Sequence, residues 1–386
     1  MKKAQLKEIA DIQTGPFGSQ LHKEDYVEEG TPIVTVEHLG NKAFSEQNLP
    51  KVSSEDRERL KKYVLQKGDI VFSRVGSVDR CSYVDQEHSG WMFSGRCLRV
   101  RPFDEIDSEY LYYYFGLEET KQFVRNIAVG ATMPSINTKL MGEVIVALPN
   151  LEKQKEIAEF LSAIDNKIKV NRKINDNLQQ QAAALFANFY DRAETEVGFT
   201  EIIQILGGGT PKTGESSYWN GNVPFFTPKD VGSPYTLATE KTITEEGLAH
   251  CNSRLYPINT VFVTARGTVG KVGLPGVPMA MNQSCYALVG KDTHQLLVYF
   301  YTLKAVDRLK HKASGAVFDA ITTRDFESEI IMKLSDDDEK AFLDVAQPIY
   351  QAVLSNSIEN LGLAALRDSL LPKLMSGEID VSAVQL

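Results

Sequence analysis

The chain has 386 residues, enough for two domains with connecting elements, and its 42% hydrophobic and 24% charged content is ordinary for a folded globular protein. No apolar run approaches the ~18 residues that cross a bilayer, and the opening MKKAQLKEIADIQ has no signal-peptide core, so a cytoplasmic protein is expected. The net charge of −9 excludes a uniformly basic nucleic-acid binder, but residues 336–386 alone hold nine acidic against three basic side chains, so any affinity for nucleic acid must come from local patches and partner chains.

Cys81, Cys97, Cys251 and Cys285 show no C-x-x-C spacing and the six histidines are scattered, which predicts neither a disulfide framework nor a zinc site. In chain order, residues 1–150 form the first domain. Its Gly15-Pro16-Phe17-Gly18-Ser19 segment predicts a tight surface loop after a strand. Short β-rich runs follow at Thr31 to Val36, Asp69 to Arg74 and Cys97 to Arg101. A single helix is predicted over Ser108 to Asn126, with Leu111, Tyr114, Phe115 and Phe123 on one face. VGATMPSINTKLMGEVIVALP closes the domain as a glycine/serine/threonine loop running into a strand.

Residues 151–193 are a first spacer helix. From Leu151 to Asp191 there is no glycine or proline, and apolar residues fall at Ile157, Leu161, Ile164, Ile168, Leu178, Ala182, Leu185 and Phe189, with only Asn171 and Asn175 interrupting the seam. Gaps alternating four and three predict a coiled-coil helix, and some forty residues at about 1.5 Å each make a rod of roughly 60 Å. Residues 336–386 supply the partner helix: Ile349, Val353, Asn356, Asn360, Leu363, Leu370 and Leu374 repeat seven of those positions at a constant offset of 185. Arg367 departs from the match, standing where Ala182 predicts a small apolar residue. The two helices are expected to pair antiparallel within the chain. Asn171, Asn175, Asn356 and Asn360 would fix the register, because a mis-registered partner leaves their amides unpaired.

Residues 194–335 repeat the first domain. FTEIIQILGGGTPK stands where LKEIADIQTGPFGS stood, and NTVFVTARGTVGK answers GDIVFSRVGSVDR, with Gly267 matching Gly76 at an offset of 191. Gly315 matches Gly130 at 185, and ITTRDFESEIIMKL echoes INTKLMGEVIVALP. A domain–helix unit therefore occurs twice, with a shared framework and different loops. The expected fold is α+β: two β-rich domains joined by two long helices forming an antiparallel coiled coil, a pseudo-twofold internal repeat.

These segments carry a family resemblance. LPNLEKQKEIAEFLSAIDNKI and LRDSLLPKLMSGEID resemble the helical spacers of type I restriction–modification specificity subunits. GGGTPK, YWNGNVPFFTPKDV, MNQSCYALV and INTKLMGEVIVALP resemble parts of their target-recognition domains, and the order of segments, doubled, spans essentially the whole chain. The resemblance implies a non-catalytic subunit in which each domain reads one half of a bipartite, asymmetric site on double-stranded DNA. The spacers set the gap and dock two modification subunits. S-adenosylmethionine, ATP and Mg2+ are then expected on the modification and restriction subunits and not on this chain.

The residues agree. There is no N-P-P-Y/F or D-P-P-Y/F stretch for base methylation, no G-x-x-x-x-G-K-[S/T] phosphate loop, and Gly207-Gly208-Gly209 is followed by Thr210-Pro211 rather than by a helix. DNA contacts are expected from polar and basic residues on glycine-bearing loops. In the first domain these are Ser19, Lys23, Ser73, Arg74, Ser77, Arg80, Arg96, Thr132, Ser135, Asn137 and Lys139. In the second they are Thr210, Lys212, Tyr218, Trp219, Lys229, Arg266, Thr268, Lys271, Asn282, Gln283, Ser314 and Arg324. Arg74 and Arg266 flank equivalent glycines one residue out of register, and either guanidinium suits a guanine edge. Asn282 and Gln283 suit adenine, although the family pattern puts them on a strand position facing inward; Tyr218 and Trp219 also suit framework packing. Gln154, Lys155, Lys167, Arg172 and Lys173 on one helix and Asp337, Glu339 and Glu359 on the other are expected on exposed docking faces. Two alternatives stay open: an orphan or swappable specificity subunit, and a scaffold whose domains bind protein, which salt-dependent DNA binding would distinguish.

Overall fold

The structure, a computed structural model, describes every residue except Phe17, Ser19, Asn41, residues 313–319, Gln385 and Leu386, and the side chains of Lys23 and Ala383. The chain forms two compact units, residues 1–168 with 362–386, and residues 169–361.

Unit 1 begins with β1 (Lys2–Gln5), α1 (Leu6–Ile9), β2 (Ala10–Thr14), β3 (Tyr26–Val27), β4 (Thr31–Val34), β5 (Lys51–Val52) and α2 (Ser54–Arg59). It continues with β6 (Ile70–Ser73), β7 (Cys81–Tyr83), β8 (Met92–Phe93) and β9 (Cys97–Pro102). Then come α3 (Ser108–Phe115), α4 (Glu118–Ile127), α5 (Thr138–Met141), β10 (Ile145–Leu148) and α6 (Leu151–Tyr190). An antiparallel sheet of order β2-β9-β6-β7 is the backbone of the unit, a second sheet of order β3-β5-β4-β8 lies over it, and β1 pairs with β10. β6 reads as an unbroken apolar run because both its faces are covered. Ile70 and Phe72 pack with Tyr110, Leu111 and Phe115 of α3, while Val71 points to Ile33, Val34 and Phe93 of the second sheet.

Two expectations fail here. The helix predicted over Ser108 to Asn126 is two helices, because Gly116 ends α3 and Leu117 takes an extended backbone before α4. Gly116 sits where an added Cβ would lie 2.9 Å from the Tyr113 carbonyl and 3.3 Å from Leu371. Phe123 is consequently exposed rather than part of a shared buried face. Gln154 is also buried, not on a docking surface: its Oε1 accepts from the Asp107 amide at 3.0 Å and its Nε2 donates to the Pro149 carbonyl at 3.0 Å.

Unit 2 contains β11 (Thr195–Gly198), α7 (Phe199–Ile202), β12 (Ile203–Gly207), β13 (Trp219–Phe226), β14 (Tyr235–Thr236), β15 (Lys241–Ile243) and α8 (Glu245–Ala249). It continues with β16 (Val261–Thr264), β17 (Val272–Pro275), β18 (Ala280–Met281), β19 (Cys285–Gly290), α9 (Gln295–Lys312), α10 (Thr323–Glu327), β20 (Ile330–Lys333) and α11 (Asp336–Ser376). Its main sheet runs β12-β19-β16-β17-β14, the smaller sheet β15-β13-β18, and β11 pairs with β20. β16 repeats the division seen in β6, with Val261 and Val263 on one side and Phe262 on the other.

The long helices run antiparallel within each unit. In unit 1, Ile157 and Leu161 of α6 share a core with Leu371, Leu374 and Met375 of α11. Arg367, the break in the repeat, donates to Asp165 Oδ1 at 2.6 Å, and Asp165 Oδ2 accepts from the Tyr113 hydroxyl at 2.5 Å. In unit 2 all four seam asparagines meet. Asn171 Nδ2 donates to Asn360 Oδ1 at 3.0 Å, Asn356 Nδ2 to Asn175 Oδ1 at 2.8 Å, and Asn175 Nδ2 to the Val353 carbonyl at 3.2 Å. Both helices also carry a second apolar face there. Phe186 and Tyr190 of α6 and Phe342, Ala346 and Tyr350 of α11 enter a core with Phe300 and Tyr301 of α9. Glu339, expected on an exposed face, is half-buried at the start of α11, and burial raises its carboxyl above the usual range.

Candidate nucleic-acid interface

Antiparallel pairing gathers the functional loops at one end of each main sheet. In unit 1 Thr14 pairs with Leu98, Ser73 with Cys97 and Phe72 with Cys81, so the segments after β2, before β9 and between β6 and β7 leave the same end. The 129–137 segment joins them: the Gly76 amide donates to the Pro134 carbonyl at 2.8 Å and the Ile136 amide to the Arg74 carbonyl at 3.0 Å. In unit 2 Gly207 pairs with Tyr286, Thr264 with Cys285 and Val263 with Val272, and the Ile321 amide donates to the Ala265 carbonyl at 2.9 Å.

Several turns need the residues found there. Gly76 and Gly267 have φ of 75° and 81° at equivalent turn tips, a conformation costly for residues with a Cβ. A Cβ at Gly15 would overlap the Ser94 carbonyl, and one at Gly208 the Asn282 carbonyl. In the same two places the Ser94 amide donates to Val34 and the Asn282 amide to Phe226, each at 2.9 Å. The copies thus share their backbone scaffold to the hydrogen bond.

On that scaffold the expected residues divide. Ser77, Arg80, Arg96, Thr132, Asn137 and Lys139 are exposed in unit 1, and Lys212, Lys229, Arg266, Thr268, Lys271, Gln283 and Arg324 in unit 2. Lys139 on α5 and Arg324 on α10 are equivalents at an offset of 185. Arg74 is half-buried, with Nη1 donating to the Gly95 carbonyl at 3.1 Å. Ser77 and Arg80 also line a cavity of about 420 Å3 with Lys121, Asp165 and Arg367, so they border the helix pair as well as the loop end.

Several expected contacts, the exposed Asn137 and Gln283 among them, are engaged in local structure. Ser73 is buried and its hydroxyl donates to the Val75 carbonyl at 2.7 Å, which puts it beneath the surface. Asn137 caps α5, its Oδ1 accepting from the Leu140 amide at 2.9 Å. Ser135 is half-buried in a backbone bridge with Val129. Asn282 Oδ1 accepts from the Ser284 amide at 3.0 Å, while Gln283 projects outward and accepts from the Thr210 hydroxyl, so these two lie in a turn before β19 rather than on an inward strand. Tyr218 stacks on His250 with centroids 5.1 Å apart. Trp219 packs edge-on against Phe225 and donates its indole N–H to the Lys212 carbonyl at 3.2 Å. Ser19 and Ser314, with Gly315, lie outside the described residues, and Lys23 is described only in its backbone.

Residues not foreseen from the sequence also bear on the loops. Arg59 and Tyr63 bind Gln20 from 39 and 43 residues away, a separation that leaves no local signal. Burial pushes the thiols of Cys81, Cys97 and Cys285 up to about 12, so at neutral pH they are protonated and poor nucleophiles.

A family profile described as "Type I restriction modification DNA specificity domain" matches residues 1–180 and 195–339. The chain belongs to this family. It is 23% identical over 403 residues to the type I restriction enzyme HindI specificity subunit of Haemophilus influenzae, covering 82% of this chain and 88% of that protein. It is 22% identical over 407 residues to the MjaIX specificity subunit of Methanocaldococcus jannaschii, covering 97% and 93%. The crystal structure of a type I restriction–modification S subunit from M. genitalium superposes with a TM-score of 0.58 at 17% identity, covering 97% of this chain and 95% of that one, and shares the fold. The first profile match spans the first loop-bearing sheet and most of α6; the second spans the other loop-bearing sheet and only the first turn of α11.

Proposed function

We propose that the chain is the non-catalytic, sequence-specific DNA-recognition subunit of a type I restriction–modification complex. Each unit's sheet end reads one half of a bipartite, asymmetric site, and the number of helical turns between the domains sets the spacer. The observation that carries this is the duplicated scaffold: Gly15 and Gly208 make the same close backbone approach, Gly76 and Gly267 take the same left-handed φ, and the Ile136 and Ile321 amides donate to equivalent carbonyls, while the exposed side chains around them differ. An unchanged frame with variable loops is what two readers of different sequences require.

The exposed cations, Arg80, Arg96 and Lys139 in one unit and Lys212, Lys229, Arg266, Lys271 and Arg324 in the other, supply phosphate contacts and base contacts. At a net charge of −9 the chain gains DNA affinity with its partners. Those partners are two modification subunits, which bring S-adenosylmethionine and methylate adenine, and restriction subunits, which bring ATP and Mg2+. Lys155, Lys167, Arg172 and Lys173 on α6 and Asp337 and Glu359 on α11 lie on exposed helix surface, Glu359 also accepting from Asn171 Nδ2 at 2.6 Å, and these faces are the docking surface proposed.

The test is a methylome. The chain is expressed with the modification subunit encoded beside it, and modified adenines are mapped genome-wide. A bipartite asymmetric motif that disappears when the chain is omitted is the expected result. No chain-dependent motif, with the modification subunit active beside another specificity chain, would favour a protein-binding scaffold.

A further inference from the structure

Each sheet end has a loop that follows the first strand of its main sheet, and in each unit that loop is tied by a side chain from outside the reading loops. In unit 2 the loop runs from Gly208 to Glu215. The Trp219 indole N–H, at the start of β13, donates to the Lys212 carbonyl at 3.2 Å. The ring is fixed by Phe225, with centroids 5.6 Å apart at 88°, and by the Lys241 ammonium 5.8 Å from its centroid. In unit 1 the corresponding tie is to Gln20. Arg59 Nη1, from the last residue of α2, donates to the Gln20 carbonyl at 3.0 Å, and the Tyr63 hydroxyl donates to Gln20 Oε1 at 2.7 Å. Asp56 orients the guanidinium, its Oδ1 accepting from Nε at 3.2 Å and Nη2 at 2.5 Å, while its Oδ2 accepts from Ser53 Oγ at 3.0 Å.

The chemistry of the two ties is different and their placement is the same. Both end on a backbone carbonyl in the segment that follows the first strand of the main sheet, Lys212 in unit 2 and Gln20 in unit 1. Glycine loses more conformational freedom on ordering than any other residue, so a tether on a carbonyl near it narrows the conformations open to the segment. Base recognition needs a side chain held within about 0.5 Å of its productive geometry. The Trp219 donor is engaged and its ring already packs with Phe225 and Lys241, which leaves it poorly placed to read a base itself.

We infer that Trp219 in unit 2, and Arg59 with Tyr63 in unit 1, are positioning residues that hold the reading loops in shape, so that each sets the specificity of one half-site without touching DNA. The inference rests on the DNA-reading function proposed above.

The experiment uses the full complex of this chain with its modification subunit and measures methylation rates on duplexes altered base by base in each half-site. Trp219→Phe keeps an aromatic six-membered ring and removes the N–H donor with the pyrrole half of the indole. It should reduce discrimination at the second half-site about five-fold, the effect of one lost hydrogen bond, and leave the first half-site unchanged. Arg59→Ala should do the converse, and Arg59→Lys, which keeps one donor, should restore most of the loss. Lys212→Ala, which leaves the carbonyl in place, should slow all duplexes alike. Rates falling equally on every duplex for Trp219→Phe, or selectivity lost with Lys212→Ala while Trp219→Phe is silent, would overturn the inference. Loss of all chain-dependent methylation in the unaltered protein would instead bring down the DNA-reading function itself.

Discussion

At the scale of single residues, the reading ends are decided by what is missing as much as by what is present. Gly15 and Gly208 permit two backbones to approach where a Cβ would overlap a carbonyl. That approach aligns Ser94 and Asn282 against the second sheet in each unit. Arg74 illustrates the complementary case. Its guanidinium is half-buried and uses one nitrogen on the Gly95 carbonyl, which restrains the group and lowers the entropy lost on meeting a base. Arg74→Ala should relax the first half-site alone, at about 1–3 kcal/mol if the contact is bidentate, measured by competition binding with altered duplexes. A uniform loss across all sequences would make it a phosphate contact. Ser73 and Asn137 show why polar loop residues are poor evidence by themselves: turns and caps consume the same donors and acceptors that bases would.

At the scale of elements, α6 and α11 serve two purposes along their length. In unit 2 the seam is polar at Asn171, Asn175, Asn356 and Asn360, and the flank beside it is aromatic, with Phe186, Phe342 and Tyr350 in the core. Buried amides are satisfied only in one register, so they weaken packing and select alignment. Asn175 bonds to Val353, Ser357 and Asn356 at once. Asn175→Ala should therefore destabilise unit 2 by about 1–3 kcal/mol, the cost of leaving buried polar partners unmet, read as a lower urea midpoint with an unchanged slope. A neutral substitution would mean that water replaces the amide. In unit 1 the matching stretch is held by an ion pair: Arg367 meets Asp165, and Asp165 in turn meets Tyr113. Burial, then Asp165, pushes the Tyr113 hydroxyl far above its ordinary value, so it stays a donor across the physiological range.

At the scale of the whole chain, the recurrence of seam positions at an offset of 185 means that both helices count turns in step. If helix length sets the spacer, adding one matched heptad to α6 between 176 and 181 and to α11 between 350 and 355 keeps the seam in phase. The modified motif should then show a longer spacer with both half-sites intact. Altered half-sites with an unchanged spacer would contradict that. Six of the nine excess negative charges sit in residues 336–386, outside the loop segments of the sequence. Binding strength should consequently depend on the partner subunits more than on this chain's net charge.

What the sequence determined by itself was whatever repeats or is local. Heptad spacing from Ile157 to Phe189, its echo from Ile349 to Leu374, and the turn glycines at Gly76 and Gly267 follow from chain geometry that any neighbouring residue set would obey. The two-copy organisation could be read off directly, because a repeat needs no knowledge of folding. Tertiary structure decided what depends on residues far apart. It broke the helix at Gly116, where a Cβ would meet the Tyr113 carbonyl and Leu371 comes close from the far end of the chain. It buried Gln154 against Asp107 and Pro149, and took Trp219 from the surface to the Lys212 carbonyl. It brought Arg59 and Tyr63 onto Gln20 across some forty residues of chain. Polar side chains look alike in a sequence whether they face solvent, cap a helix or hold a loop; only the neighbours supplied by folding settle where each hydrogen bond goes.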